Sequence, residues 1–392
     1  MTGVNPLTQV DPAALRSRRS MKWRKYPDDV LPLWVAEMDT LLAPPIAERL
    51  HAAVDLGDTG YAAPGQLAEA LAGFASARFG WWPDPAEMTF IGDVAQAVVR
   101  TLEAITAPGD AVLLNTPAYP PFFADLADIG RRIKESPLAR TPDGYRLDLD
   151  LLARDFAAPE VTAYLLVNPH NPTGLVLSRE ELTAVAALAD AHGVRVIADE
   201  IHAPLTYPGV EFVPYLSVPG AGRGIAFHAA SKAWNLAGLK AALIVPGPDA
   251  VADVRRIPEN ARYTAGLLGI IASETAYRSG GAWLDALIAG LDANRKLCGE
   301  LLAAHLPAVG YVPPDGTYFA WLDCRALGLS AEPADVFLER GRVALYPGPA
   351  FGAPGVGHVR LNLATSPDIL TQAVERMAAA TRSGFIPSVG NR

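Results

Sequence analysis

The sequence predicts an α/β fold with a largely parallel sheet covered by helices on both faces, followed by a smaller α+β unit. Three observations carry that expectation. Short aliphatic runs alternate with amphipathic helical stretches through the middle of the chain. Those runs are continuously apolar, as strands buried on both faces are. Near residue 282 the alternation stops and a long helical pattern takes over.

The elements follow in order. The proline-rich stretch 1–45 does not complete the central sheet and is expected to pack with the second unit. Within 46–281, strands are expected at 111–115, 163–167, 194–198, 225–229 and 241–245, with helices at 94–106 and 178–192. The second helix opens with Ser178-Arg179-Glu180-Glu181, the spacing of a capping box. Within 282–392, a helix over 283–305 leads to strands at 310–312, 318–323, 343–346 and 359–363, and a last helix covers 367–382. The tail 383–392 is expected to fray.

Composition narrows the function classes. The 392 residues, a length that suits about two to three domain-sized units, are 50% hydrophobic and 19% charged, a balance that suits a large core and excludes general disorder. A net charge of −9 offers no electrostatic footprint for nucleic acid or an anionic membrane surface. Two cysteines, Cys298 and Cys324, are too few for a disulfide framework or a structural zinc site, so no metal is expected. No apolar run approaches membrane-spanning length, and residues 1–20 lack a secretory pattern. These features predict a soluble, cytoplasmic globular protein and an enzyme.

Three clusters then carry chemistry, each at or just past the end of an expected strand. Asn168-Pro169-His170-Asn171-Pro172-Thr173-Gly174 is a tight turn whose prolines and glycine fix Asn171 at the ligand-binding edge of an α/β sheet. In Val196-Ile197-Ala198-Asp199-Glu200-Ile201-His202 an apolar strand ends in Asp199, which a cationic heterocyclic nitrogen would keep ionised. In Ala229-Ala230-Ser231-Lys232-Ala233-Trp234-Asn235 a lysine stands among small and aromatic residues, with no acid within seven positions on either side. Desolvation there lowers the pKa and leaves a nucleophilic amine. Alone, the three would pass for a turn, a solvated strand end and a surface lysine.

Together, Asn171, Asp199 and Lys232 resemble the machinery of fold-type I pyridoxal 5′-phosphate enzymes, the aspartate aminotransferase superfamily, over roughly residues 15–380. The resemblance implies a mostly parallel seven-stranded sheet in the large domain, a small C-terminal domain, and pyridoxal 5′-phosphate as cofactor. It implies that Lys232 links covalently to the cofactor's aldehyde, that Asp199 holds the pyridinium proton, and that Asn171 and His202 lie near the phenolic oxygen. Tyr119, in Thr116-Pro117-Ala118-Tyr119, resembles the ring that stacks on the pyridine. For the phosphate it implies Asp93 and Val94 at a helix start, with Asp93 as N-cap turned away from the ligand, together with Ser231 and Lys240. Lys240 stands where transaminases usually carry arginine. Tyr61 resembles a tyrosine that reaches the neighbouring subunit's phosphate, which implies a homodimer with shared sites. Arg360, in Val359-Arg360-Leu361-Asn362, matches the arginine that grips the substrate's α-carboxylate, with Asn171 and Tyr61 also expected at the substrate.

Two segments are similar to the MalY/PatB branch, the cystathionine β-lyase-like C–S lyases. These are Leu33-Trp34-Val35-Ala36-Glu37-Met38-Asp39 and the run from Ser231 to Lys240. The branch implies α,β-elimination from a cysteine thioether, with Val35 and Ala36 lining the side-chain pocket. Glu37 and Thr40 stand where aspartate and phenylalanine are usual. An aminotransferase, or a regulatory protein that binds the cofactor without turnover, would use the same residues, so both alternatives stay open from sequence.

Overall fold

The apolar runs lie side by side. The computed structural model describes residues 4–382, so the tail 383–392 lies outside it. Seven strands form one sheet: β1 (Thr89–Ile91), β2 (Ala111–Thr116), β3 (Arg132–Pro137), β4 (Val161–Val167), β5 (Arg195–Asp199), β6 (Ile225–His228) and β7 (Ala242–Pro246). Their spatial order is β1-β7-β6-β5-β4-β2-β3. Strands β3, β2, β4, β5 and β6 pair in parallel, whereas β7 runs antiparallel to both β6 and β1.

Side chains along these strands feed two cores. Val112, Leu114, Leu165 and Phe227 enter one, while Leu113, Tyr164, Leu166 and Ala226 enter the other. Burial on both faces explains why the strands read as unbroken apolar runs. Helix α1 (Val94–Ile105) buries Val94, Ala97, Val98, Thr101 and Leu102, the stripe of a one-sided helix. Helix α2 (Arg179–His192) begins with the Ser178–Glu181 capping box and stops at Gly193 in the left-handed conformation.

The second sheet is antiparallel. Helix α3 (Gly281–His305) precedes β8 (Gly310–Tyr311), β9 (Phe319–Asp323), β10 (Tyr346–Pro347) and β11 (His358–Asn362), and α4 (Pro367–Thr381) follows. Their order is β8-β9-β11-β10. The single strand expected over 343–346 is divided. Val343–Ala344 pairs in parallel with Leu31–Pro32, whereas β10 pairs with β11. Leu31 and Leu33 join the core of this sheet with Leu322, Val359 and Met377, and both free cysteines are buried there. Among the described residues no helix is long and apolar enough to cross a membrane.

Candidate active site

The site forms where the parallel strands end, because loops leaving their carboxyl ends converge on one edge. Asp199 is the last residue of β5, and Val167 at the end of β4 is its register partner. Asn171 stands four residues past β4 and Lys232 four residues past β6. The Asn171 turn is closed by Gly174, whose amide donates to the His170 carbonyl at 2.7 Å. Gly174 has φ +73°, and a Cβ there would lie 2.2 Å from Pro314 Cβ, so no other residue fits. Asn171, Asp199, His202, Ser231 and Lys232 line one cavity of about 250 Å³.

Desolvation sets the electrostatics of that cavity. Burial pulls Lys232 down to about 8, with Arg360 pushing the same way and Asp199 opposing. Burial raises Asp199 to about 6, against the pull of the Ile201 amide (3.1 Å) and of Lys232. Among the described residues, neither has an ion-pair partner within 4.0 Å. His202 is held well below its ordinary value by burial, and its Nδ1 has no hydrogen-bond partner among the described residues. Its ring packs edge-on against Tyr318 and Phe319. Tyr119 also lines the cavity, its hydroxyl pushed up mainly by burial.

A buried carboxylate and a half-buried, desolvated amine, neither in an ion pair among the described residues, suit a ligand that brings both a cation and a group reactive toward amines. Protonated pyridoxal 5′-phosphate has that character, and the residues present fit it. At the other end of the cavity, α1 presents its N-terminus. Asp93 is its N-cap, as expected, with Oδ1 accepting from the Gln96 amide at 2.9 Å. The carboxylate is not turned away, however. Asp93 lines the cavity, and its Oδ2 lies 2.7 Å from Lys240 Nζ. Val94, Ser231 and Lys240 line the same cavity.

Arg360 lies on β11, 2% exposed, between the rings of Phe319, Tyr346 and Phe351. Its Nη1 donates to Asn171 Oδ1 at 2.9 Å and its Nη2 to the Trp34 carbonyl at 3.0 Å, while Nε has no partner among the described residues. Burial lowers this guanidinium to about 10. The 36–38 segment is tied to the lysine loop by Asn235, whose side chain bonds both the amide and the carbonyl of Met38. Ala36 therefore lines the cavity, whereas Val35 is not among its lining residues and Val35 O accepts from Asn362. Tyr61 is 95% exposed and takes no part in the cavity of its own chain.

Three contacts escaped the sequence reading: Asn235 to Met38, Arg360 to Trp34, and Glu200 to His228. Glu200 turns away from the cavity into a fully buried contact with His228 Nε2 at 3.1 Å, its other oxygen accepting from the Tyr215 amide. The only advance signal was Glu200's place beside Asp199 at a strand end. Among the described residues no cluster of three or more metal-ligating side chains occurs.

Residues 33–377 match the family described as aminotransferase class I and II. The chain is 51% identical over 397 residues to a Mycobacterium leprae (strain TN) protein provisionally named a cystathionine beta-lyase, covering 96% of this chain and 98% of that one. It is 38% identical over 373 residues to the cystathionine beta-lyase of Corynebacterium glutamicum, covering 93% and 97%. Among solved structures, cystalysin from Treponema denticola, which contains a pyridoxal 5′-phosphate cofactor, aligns with a TM-score of 0.89 at 27% identity, over 96% of this chain and 98% of that one.

Proposed function

The chain belongs to the aminotransferase class I and II family, and on that premise we propose that it is a pyridoxal-phosphate-dependent C–S β-lyase. It cleaves an L-cysteine thioether, with one water, to a thiol, pyruvate and ammonia. The observation that carries the reading is the unpaired Lys232 and the unpaired Asp199 sharing one cavity. Elimination is preferred over amino-group exchange because the relatives at 51% and 38% identity bear lyase names.

Bound in this cavity, pyridoxal phosphate supplies an electron sink conjugated to the substrate's Cα. Lys232 anchors the cofactor. Asp199 would hold the proton on the ring nitrogen, and Asn171 and His202 are the residues that would serve the phenolic oxygen. Tyr119 would pack against the ring, and Val94, Ser231 and Lys240 would receive the phosphate. Arg360 forks onto the substrate carboxylate and so turns the Cα–H toward Lys232 Nζ. Lys232, its pKa drawn down to about 8, would take that proton as general base. The Cβ–S bond then breaks with its electron pair leaving on sulfur, and the three-carbon remainder takes up water to give pyruvate and ammonia. Apolar Ala36 suits the thioether side chain.

The reading extends to assembly and location. Two copies pair so that the exposed Tyr61 of each reaches the other's phosphate, and the enzyme works in the cytoplasm on a free amino acid. The test is incubation of cofactor-loaded protein with L-cystathionine and no keto acid. Equal release of pyruvate and thiol is expected. Release of neither, with conversion to the pyridoxamine form that a keto acid reverses, would make the protein an aminotransferase.

A further inference from the structure

Lys232 and Lys240 are the two lysines lining the cavity, and Lys240, the one at the helix end, is already engaged. Asp93 Oδ2 sits 2.7 Å from its Nζ, with the two side chains 34% and 55% exposed respectively. The carboxylate cannot swing aside without uncapping α1, because Oδ1 is held by the Gln96 amide. The loop beneath it cannot retreat either. The Gly92 amide donates to Thr264 Oγ1 at 3.0 Å, and a Cβ on Gly92 would lie 2.5 Å from the Thr264 carbonyl. Lys240 is fixed at its backbone, with φ +60° and its carbonyl accepting from Gly266 at 2.8 Å.

A phosphate entering here therefore meets a carboxylate as well as a cation. Against that, the helix N-terminus contributes only about half a positive charge. We propose that Asp93 is a built-in competitor for the cofactor's phosphate: it occupies Lys240, and the phosphate binds only as the lysine leaves the carboxylate. The consequence is a cofactor held less tightly than the cavity would otherwise allow, with an affinity that depends on salt. The inference rests on reading this cavity as the pyridoxal-phosphate site.

The test is the dissociation constant of pyridoxal 5′-phosphate, measured by absorbance titration of cofactor-free protein. Asp93→Asn removes the charge and keeps a capping oxygen. It should lower the dissociation constant by about three- to tenfold at low ionic strength, as one half-exposed charge pair allows. The gain should shrink at about 1 M salt, where such charges are screened. It should also shrink in a Lys240→Met background, which has no lysine to release. Asp93→Ser, another uncharged cap, should behave as Asp93→Asn and guards against a folding defect in either variant. Unchanged or weaker binding in both variants would overturn the inference and make Asp93 a residue that positions Lys240 for the phosphate. A wild-type protein that takes up no pyridoxal phosphate would instead sink the functional reading, and this inference with it.

Discussion

Lys22 and Lys232 are tied to the same short segment, residues 37–39, yet they keep opposite company. Lys22 is 1% exposed, with Nζ 2.7 Å from Asp39 Oδ2 and 3.3 Å from the Glu37 carbonyl. Trp23 Nε1 satisfies the other carboxylate oxygen at 2.9 Å. Lys232 stands on the loop that Asn235 fastens to Met38, has no acid at contact distance among the described residues, and is drawn down to about 8. Burial with a partner gives a structural ion pair, whereas burial without one gives a reactive amine. One lysine holds the segment in place, and the other is the amine to which we assign the chemistry.

Exchanging the roles should fail in two different ways. Lys232→Ala should reduce pyruvate release by about 10³-fold or more, since it removes both anchor and base, with the folded protein otherwise intact. Asp199→Asn should cost on the order of 10²-fold in kcat, read from initial rates with saturating cofactor. Lys22→Met should leave the rate per folded molecule near wild type but cost about 3–5 kcal/mol in denaturant unfolding, because Asp39 is left buried and unpaired. A Lys22→Met protein of normal stability and lost turnover would break the comparison. Arg360→Lys should raise KM about tenfold with a smaller change in kcat, because a point charge replaces the fork on the carboxylate.

How much of this was legible in the sequence follows from distance along the chain. Asn171, Asp199 and Lys232 each belong to a local strand-and-turn pattern, and parallel strands bring such turns together without further instruction. The two sheet edges were not legible. Arg132–Pro137 mixes Arg, Lys and Glu with a single aliphatic residue, and Thr89–Ile91 is only three residues long. Edge strands need no second apolar face, so neither carries the signal of the central ones. The ion pairs were hidden too, since Lys22–Asp39 spans 17 residues and Asp93–Lys240 spans 147. Asp93 was recognisable as a helix cap from its neighbours, but nothing local announced that its other oxygen holds a lysine.

The smallest effect sharpens the comparison through pH. Lys232 falls from its ordinary 10.5 to about 8 in the folded chain, so between those values the unfolded chain binds the extra proton. Stability of the cofactor-free protein should therefore rise with pH through about 8 to 10.5 on account of this group. Lys232→Met should melt higher than wild type at neutral pH, and the gap should close as pH climbs through that window. A gap that stays constant would mean Lys232 is not desolvated.

The most direct measurement is covalent. Protein loaded with pyridoxal 5′-phosphate is treated with borohydride, which fixes the cofactor to whichever amine holds it, and the label is located by peptide mass spectrometry. The account predicts label on Lys232 and none on Lys22 or Lys240. Label on another lysine, or none at all, would contradict it.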